Sequence, residues 1–165
     1  MSLPTTASIT ERIEAPPDVV YDLVADVTKM GSWSPECRSC EWIDDPGREG
    51  SRFRGHNRNG VFRWTTEAQV ITADRGREFS FATLHRGEPA TQWSYRFDRA
   101  DSDPAATIVT ETFHSIRTPR LIAFTERYLI RNRQHQLEDG IRATLRALKA
   151  AAETSNARDA ERDVT

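Results

Sequence analysis

Three side chains on predicted strands are candidates for moving a proton in a ligand site: His85, Tyr95 and Glu111. A histidine changes its charge near neutral pH, and a buried carboxyl group does so once desolvation has raised its pKa. A tyrosine adds a polar hydroxyl group to an otherwise apolar surface. Because enzymes use these residue types as general acids and bases, we take all three as candidate catalytic residues.

The orientation of Glu111 depends on which side of its predicted strand faces inward. Glu111 shares one side with Val109 and Phe113, and that side would make it a buried carboxyl group. The opposite side, which carries Ile108, is also apolar enough to face inward, and Glu111 would then be solvated. We favour the solvated alternative, because carboxylates are seldom fully buried.

His85 has a similar ambiguity. It follows Phe79 and Phe81 on one side of a predicted strand, so it could reach a cavity from the end of that strand. It also stands beside Arg86-Gly87, where a histidine at the edge of a loop would be solvated, and we favour this second alternative.

Large aromatic residues recur on the inward side of several predicted strands. Alternation of apolar and polar residues, as at residues 92–98, is typical of a sheet with one buried face. Rings on such a face can line a ligand cavity or fill a solid core, and the sequence leaves both possibilities open. The candidate ligand-binding residues are Trp64, Phe79, Phe81, Trp93, Tyr95 and Phe97, with Tyr128 from the last predicted helix.

Cys37 and Cys40 have the C-x-x-C spacing of redox and metal sites. A redox dithiol normally begins a helix, whereas the residues here predict a strand, whose period of two would place the two thiols on opposite faces. A zinc site would need two further ligands at a suitable spacing, and no pair of histidines provides them. Glycine-rich phosphate-binding motifs are also missing. We therefore predict no metal and no cofactor.

The order of the predicted elements decides where these side chains lie. Residues 8–14 predict a strand, and two short helices follow from APPD at 15–18 to Gly31. Further strands, joined by short loops that favour antiparallel pairing, are predicted at 38–43, 51–58, 61–72, 78–85, 91–98 and 107–115. An apolar stripe predicts one long helix from Thr118 to about Glu153. We predict an α+β fold, in which a curved seven-stranded antiparallel sheet grips a long C-terminal helix, with two short helices after the first strand.

Length and charge narrow the possible functions. A chain of 165 residues with 37% hydrophobic residues suits one domain, which we predict at 1–153, followed by a flexible tail at 154–165. The net charge of -2 gives no general attraction to nucleic acid. No apolar run is as long as a membrane span, residues 1–8 lack a signal-peptide pattern, and cysteines are few. We predict a cytoplasmic protein without nucleic-acid partners and without integral membrane association, and the sequence makes no prediction of oligomeric state.

Five segments carry a resemblance to a known family. They are APPDVVY at 15–21, WSPE at 33–36, GSRFRG at 50–55, WSYRF at 93–97 and GIRATL at 140–145. With the order of elements over residues 8–153, the chain resembles the START-like helix-grip superfamily, and within it the polyketide cyclase/dehydrase and lipid-transport branch, also called SRPBCC. The resemblance implies a cavity between the concave sheet face and the last helix, suited to an aromatic, sterol-like or acyl ligand. It does not imply one reaction.

Two functions are compatible with these observations. The leading hypothesis is a soluble binder or carrier of a hydrophobic small molecule that is polyketide-, sterol- or acyl-like. The alternative is a polyketide cyclase or dehydratase that uses the same cavity, with proton transfer by His85, Glu111 or Tyr95. A uniformly apolar cavity would favour the carrier, whereas two polar groups that hydrogen-bond to each other in it would favour the enzyme.

Overall fold

The structure is a computed structural model, and it describes residues 6–116 and 133–162. Its first elements are strand β1 (Thr6–Ile13), helix α1 (Pro17–Ala25) and a short 3-10 helix (Val27–Ser32). Six strands follow: β2 (Cys37–Trp42), β3 (Arg52–Asn59), β4 (Phe62–Asp74), β5 (Glu78–His85), β6 (Glu88–Ala100) and β7 (Asp103–Ser115). Helix α2 (Arg133–Arg162) is the last described element.

The strands form one curved antiparallel sheet in the order β1-β7-β6-β5-β4-β3-β2. Strands that are consecutive from β2 to β7 are neighbours, and β1 pairs with β7 at the far edge. The connection through α1 and the short helix carries the chain from one edge of the sheet to the other. The predicted α+β fold, with its seven strands, two short helices and long C-terminal helix, is confirmed.

Local sequence explains where the first helix and the central hairpin begin. Pro17 occupies the first turn of α1, where its missing N–H is not needed, and Asp18 lies at the positive end of the helix dipole. Gly60, between β3 and β4, has a φ of 59°, which a residue without a side chain adopts most easily. The hairpin turn predicted at Asn59-Gly60 forms one residue later, because Asn59 pairs with Phe62 and the two turn residues are Gly60 and Val61.

Helix α2 packs against β1, β7 and α1. Its apolar stripe is buried at Ile141, Leu145 and Leu148 and half-buried at Leu137. The helix continues beyond the predicted end at Glu153 to Arg162, and Asn156 Nδ2 donates to the carbonyl oxygen of Glu14 at 3.2 Å. The predicted start at Thr118 lies outside the described residues, and the domain boundary after residue 153 stays a prediction. Within the described residues, no helix combines the length and the apolar character that crossing a bilayer requires.

The inward side of β7 is the one that carries Glu111. Val109 on the same side belongs to the apolar core, and only 2% of Glu111 is exposed. The opposite side is polar, because the hydroxyl groups of Thr110 and Thr112 pair with hydroxyl groups of β1 on the exposed face. The favoured interpretation of Glu111 as a solvated residue is therefore wrong. The side of β7 that carries Ile108 faces solvent, because the hydroxyl groups of Thr110 and Thr112 on that side pair with those of β1.

The two cysteines lie together, contrary to the prediction from strand periodicity. Cys37 is opposite Asn57 on β3, but Ser39 is already opposite His56, so one extra residue is inserted as a β-bulge. The bulge returns Cys40 to the same side as Cys37, and both side chains are buried. Their sulfur atoms are 3.4 Å apart.

Candidate functional site

A buried pair of polar side chains lies on the concave face of the sheet. Tyr95 of β6 and Glu111 of β7 are direct partners in the antiparallel register. The Tyr95 hydroxyl donates a hydrogen bond to Glu111 Oε1 at 2.8 Å. Glu111 Oε2 is also buried and has no hydrogen-bond partner among the described residues. One carboxyl oxygen is therefore held by a hydrogen bond, whereas the other is buried without one.

Burial changes the protonation of both groups. Desolvation raises the pKa of Glu111 to about 8, although the hydrogen bond from Tyr95 opposes this change. Desolvation and the nearby Glu111 raise the pKa of Tyr95 well above its ordinary value. At neutral pH Glu111 is therefore mostly a neutral carboxylic acid, with a proton to donate, and Tyr95 is a neutral phenol.

The pair lies at the boundary between a packed and a more open part of the concave face. Toward α1, the rings of Phe79 and Phe97 contact Tyr21 edge-on, with ring centroids 6.1 and 5.7 Å away. In the other direction along β6 and β7, Trp93 and Phe113 face each other with centroids 5.0 Å apart and are only half-buried. An apolar molecule resting on Trp93 and Phe113 would lie next to the pair of polar groups.

The predicted aromatic residues fall into three groups. Phe79, Phe81 and Phe97 are buried, and Phe81 contacts Phe53 with a centroid distance of 5.2 Å, so these rings pack into the core. Trp93 is half-buried. Trp64, near the tip of the β3–β4 hairpin, is 41% exposed. Tyr128 lies outside the described residues, and the ligand-binding role of the whole set stays a prediction.

His85 is not brought together with the other two candidate catalytic residues. It is exposed at the end of β5, beside Arg86, whose φ is 55° in the turn to β6. Tyr95 is opposite Phe79, six residues before His85 on the same strand. At about 3.3 Å per residue, roughly 20 Å of strand separates His85 from Tyr95.

Sequence reasoning did not include Phe113 among the ligand-binding candidates. Its ring completes the half-buried pair with Trp93, directly opposite it in the register. The signal was present, because Phe113 shares the side of Glu111 and Val109, but it could be used only once that side was known to face inward.

A separate cleft of about 650 Å³ opens where α1 begins, beside the β4–β5 turn. Most of its lining side chains are charged, so the cleft does not suit an apolar ligand. Neither Tyr95 nor Glu111 lines it. Its lining residues are Pro17, Asp18, Thr72, Asp74, Arg75, Gly76, Arg77, Glu78, Arg96, Phe97, Asp98 and Arg99. The predicted cavity bounded by Trp64, Trp93 and Tyr95 stays a prediction.

The described part of the chain holds no group of three or more His, Cys, Asp or Glu side chains that could bind a metal ion. The prediction that the protein uses no metal or cofactor was made from the sequence and remains untested.

Comparison with known proteins identifies the family. Residues 4–153 match the family model described as polyketide cyclase / dehydrase and lipid transport. A search of curated proteins finds no match. Among solved structures, the Zhui aromatase/cyclase from Streptomyces sp. R1128 is 18% identical with a TM-score of 0.69, covering 90% of this chain and 93% of that one. TTHA0849 from Thermus thermophilus is 19% identical with a TM-score of 0.66, covering 91% and 98%.

A third structure, the Polyketide_cyc-like protein Cgl2372 from Corynebacterium glutamicum, is 26% identical with a TM-score of 0.53, covering 99% of this chain and 96% of that one. The two structures with lower identity support the helix-grip fold, and the match to the family model extends over most of the sequence. The resemblance read from the sequence is confirmed: the chain belongs to the polyketide cyclase/dehydrase and lipid-transport family.

Proposed function

We propose that this protein binds a hydrophobic, polyketide-like molecule against the concave sheet face and catalyses a cyclisation or dehydration by proton transfer through Glu111. The observation that carries the proposal is the hydrogen bond from Tyr95 to Glu111 Oε1, which leaves buried Oε2 without a partner, two residues along β6 and β7 from the half-buried rings of Trp93 and Phe113. A hydrogen-bonded polar pair on the concave face, in place of a uniformly apolar surface, supports an enzyme over a carrier if the predicted cavity opens beside it.

A dehydration illustrates the chemistry. The neutral Glu111 acid donates its Oε2 proton to a substrate hydroxyl group while the carbon–oxygen bond breaks and water leaves. The hydrogen bond from Tyr95 stabilises the carboxylate that remains. That carboxylate then takes a proton from the carbon next to the one that lost the hydroxyl group. A carbon–carbon double bond forms, and Glu111 is again an acid.

A carrier without chemistry is the second candidate, and the rings favour it. Trp93 and Phe113 offer aromatic contact area, while Glu111 and Tyr95 would supply the few polar contacts that fix a ligand's orientation. In both cases the proposed partner is a hydrophobic small molecule and not nucleic acid or an integral membrane protein. A cytoplasmic location, expected from the small number of cysteines, belongs to the same proposal.

The test compares variants that differ only in the ability to transfer a proton. Ligand retained on purification is first identified by native mass spectrometry, and aromatic β-hydroxyketones related to it are then incubated with the protein. Glu111→Gln preserves size and an acceptor for Tyr95 but cannot donate an acidic proton, so product formation should fall by about 100-fold or more while binding persists. His85→Ala, about 20 Å away along the strand, should retain full activity.

The same experiment separates the two candidates. Saturable binding without product in the wild type would reject the enzyme and leave the carrier. Equal turnover by the wild type and by Glu111→Gln would reject the role of Glu111. If neither aromatic nor acyl probes bind at all, the proposal fails for both functions.

A further inference from the structure

We propose that Cys37 and Cys40 form a reversible intramolecular disulfide by exchange with a small-molecule disulfide of the glutathione type. This site lies on β2, at the edge of the sheet opposite β1. It is independent of the proton-transfer chemistry proposed for Tyr95 and Glu111, which lie on β6 and β7.

The bulge in β2 creates the geometry for the bond. Cys37 is opposite Asn57 and Cys40 is opposite Gly55, so the two thiols stand as neighbours on one side of the strand. Their sulfur atoms are 3.4 Å apart. They would need to approach by only about 1.4 Å to reach the length of a disulfide bond.

The surroundings of Cys40 leave room for the bond to form and break. Gly55 has no side chain, and a Cβ there would lie 3.5 Å from Cys40 Sγ. The Cys40 sulfur can therefore move the short distance toward Cys37. The bond is reversible by the same exchange, because a small thiol can attack the bridge when β2 opens locally.

The two thiols have different roles in the exchange. The hydrogen bond from Cys40 lowers the pKa of Cys37, whereas the proximity of Cys37 and burial raise the pKa of Cys40. The charge of Arg38 also lowers the pKa of Cys37. Cys37 is thus the thiolate that attacks, because thiolates and not thiols are the nucleophiles.

The thiol–disulfide exchange proceeds in two steps, through a mixed disulfide. Cys37 thiolate attacks one sulfur of the small disulfide, whose sulfur–sulfur bond breaks and releases one thiolate, leaving a mixed disulfide on Cys37. Cys40 then loses its proton to solvent and attacks the Cys37 sulfur, which releases the second thiolate. The protein loses two electrons and two protons, and the small disulfide becomes two thiols.

Access to the thiols follows from the position of β2. Cys37 and Cys40 are only 4% and 8% exposed, so attack requires a local opening. An edge strand opens more easily than a central one, and β2 has one strand neighbour in the sheet, β3. The bulge residues Arg38 and Ser39 are already exposed.

The experiment incubates the reduced full-length protein with oxidised glutathione, alkylates the remaining thiols under denaturing conditions and measures the intact mass. The wild type should lose both alkylatable thiols without keeping glutathione, and dithiothreitol should restore them. Cys40→Ser should accumulate one glutathione on Cys37, because the second step is blocked. Cys37→Ser should gain glutathione at least about ten-fold more slowly, since Cys40 is the poorer thiolate.

The wild-type result decides the proposal even if a serine variant folds poorly. Two thiols that remain alkylatable after prolonged incubation, or a stable glutathione adduct on the wild type, would show that no intramolecular bond forms. A disulfide-linked dimer on non-reducing electrophoresis would overturn the proposal as well. Equal rates of adduct formation by the two folded serine variants would overturn the order of attack.

Discussion

Replacing Glu111 by glutamine should change how the stability of the protein depends on pH. The pKa of Glu111 is about 8 in the folded protein and 4.5 without the protein environment. The folded state therefore binds the Glu111 proton more tightly than the unfolded state does. Between these two values the unfolded chain releases this proton and the folded protein keeps it, so the free energy of unfolding falls as pH rises.

The size of the effect follows from the width of that window. Each pH unit corresponds to about 1.4 kcal/mol, so a window from pH 4.5 to about 8 gives an upper value of about 5 kcal/mol. Below pH 4.5 both states are protonated, and the contribution of Glu111 no longer depends on pH. A glutamine cannot ionise, so Glu111→Gln removes this loss and should be progressively more stable than the wild type as pH rises toward 8.

The assay is urea unfolding of the wild type and Glu111→Gln at several pH values between 4.5 and 9. The lowest pH equals the ordinary pKa of this carboxyl group. The difference between the two proteins isolates Glu111, because all other titrating groups are shared. Glu49→Gln, which makes the same substitution at an exposed position, is the matched control. A constant difference for Glu111→Gln would refute the reasoning, since it would mean that folding does not raise the pKa of Glu111.

Two further predictions concern packing, and a third concerns ligand binding. Leu145→Ala should lower the free energy of unfolding by about 2 to 5 kcal/mol, because Leu145 lies on the buried side of α2, and the exposed Arg146→Ala serves as its control in the same urea titration. Gly31→Ala should cost about 1 to 3 kcal/mol, since a Cβ there would collide with the carbonyl oxygen of Arg38, and an unchanged denaturation midpoint would contradict that contact. Trp93→Ala should weaken the binding of a flat apolar fluorescent probe by about 1 kcal/mol in a saturation titration, and unaltered affinity would remove Trp93 from the binding surface.

The sequence predicts the fold well where local patterns and tertiary structure agree. Asn59-Gly60 predicts the hairpin turn to within one residue, and the alternation around Tyr95 gives the correct inward side because the opposite side is polar. On β7 the two sides are harder to distinguish, because Ile108 and Val109 are both apolar. The hydrogen-bonded hydroxyl groups that separate the two sides belong partly to β1, about a hundred residues away, and periodicity within one strand does not include them.

The proximity of Cys37 and Cys40 could not be predicted from the sequence, for a different reason. A bulge depends on the register of β2 against β3, and nothing in the local sequence around Cys37 specifies that register. The end of α2 shows the same limit. Residues after Glu153 contain few apolar side chains, yet the helix continues there and Asn156 contacts the backbone of Glu14. The contact between Asn156 and Glu14 joins this part of the helix to a distant segment, and local helix propensity does not include such a contact.

Burial of Glu111 lowers the free energy of unfolding near neutral pH, and the same raised pKa leads to a prediction about function. A glutamine in its place would still accept the Tyr95 hydrogen bond and would avoid the loss of stability, but it could not transfer a proton. If Glu111 acts as an acid, turnover should fall as pH rises through about 8, because the protonated form disappears. The midpoint of that fall in kcat/KM, which reports the free enzyme, should agree with the upper limit of the pH window found by urea unfolding. Turnover that stays constant across this range while stability changes would show that Glu111 titrates without taking part in the reaction.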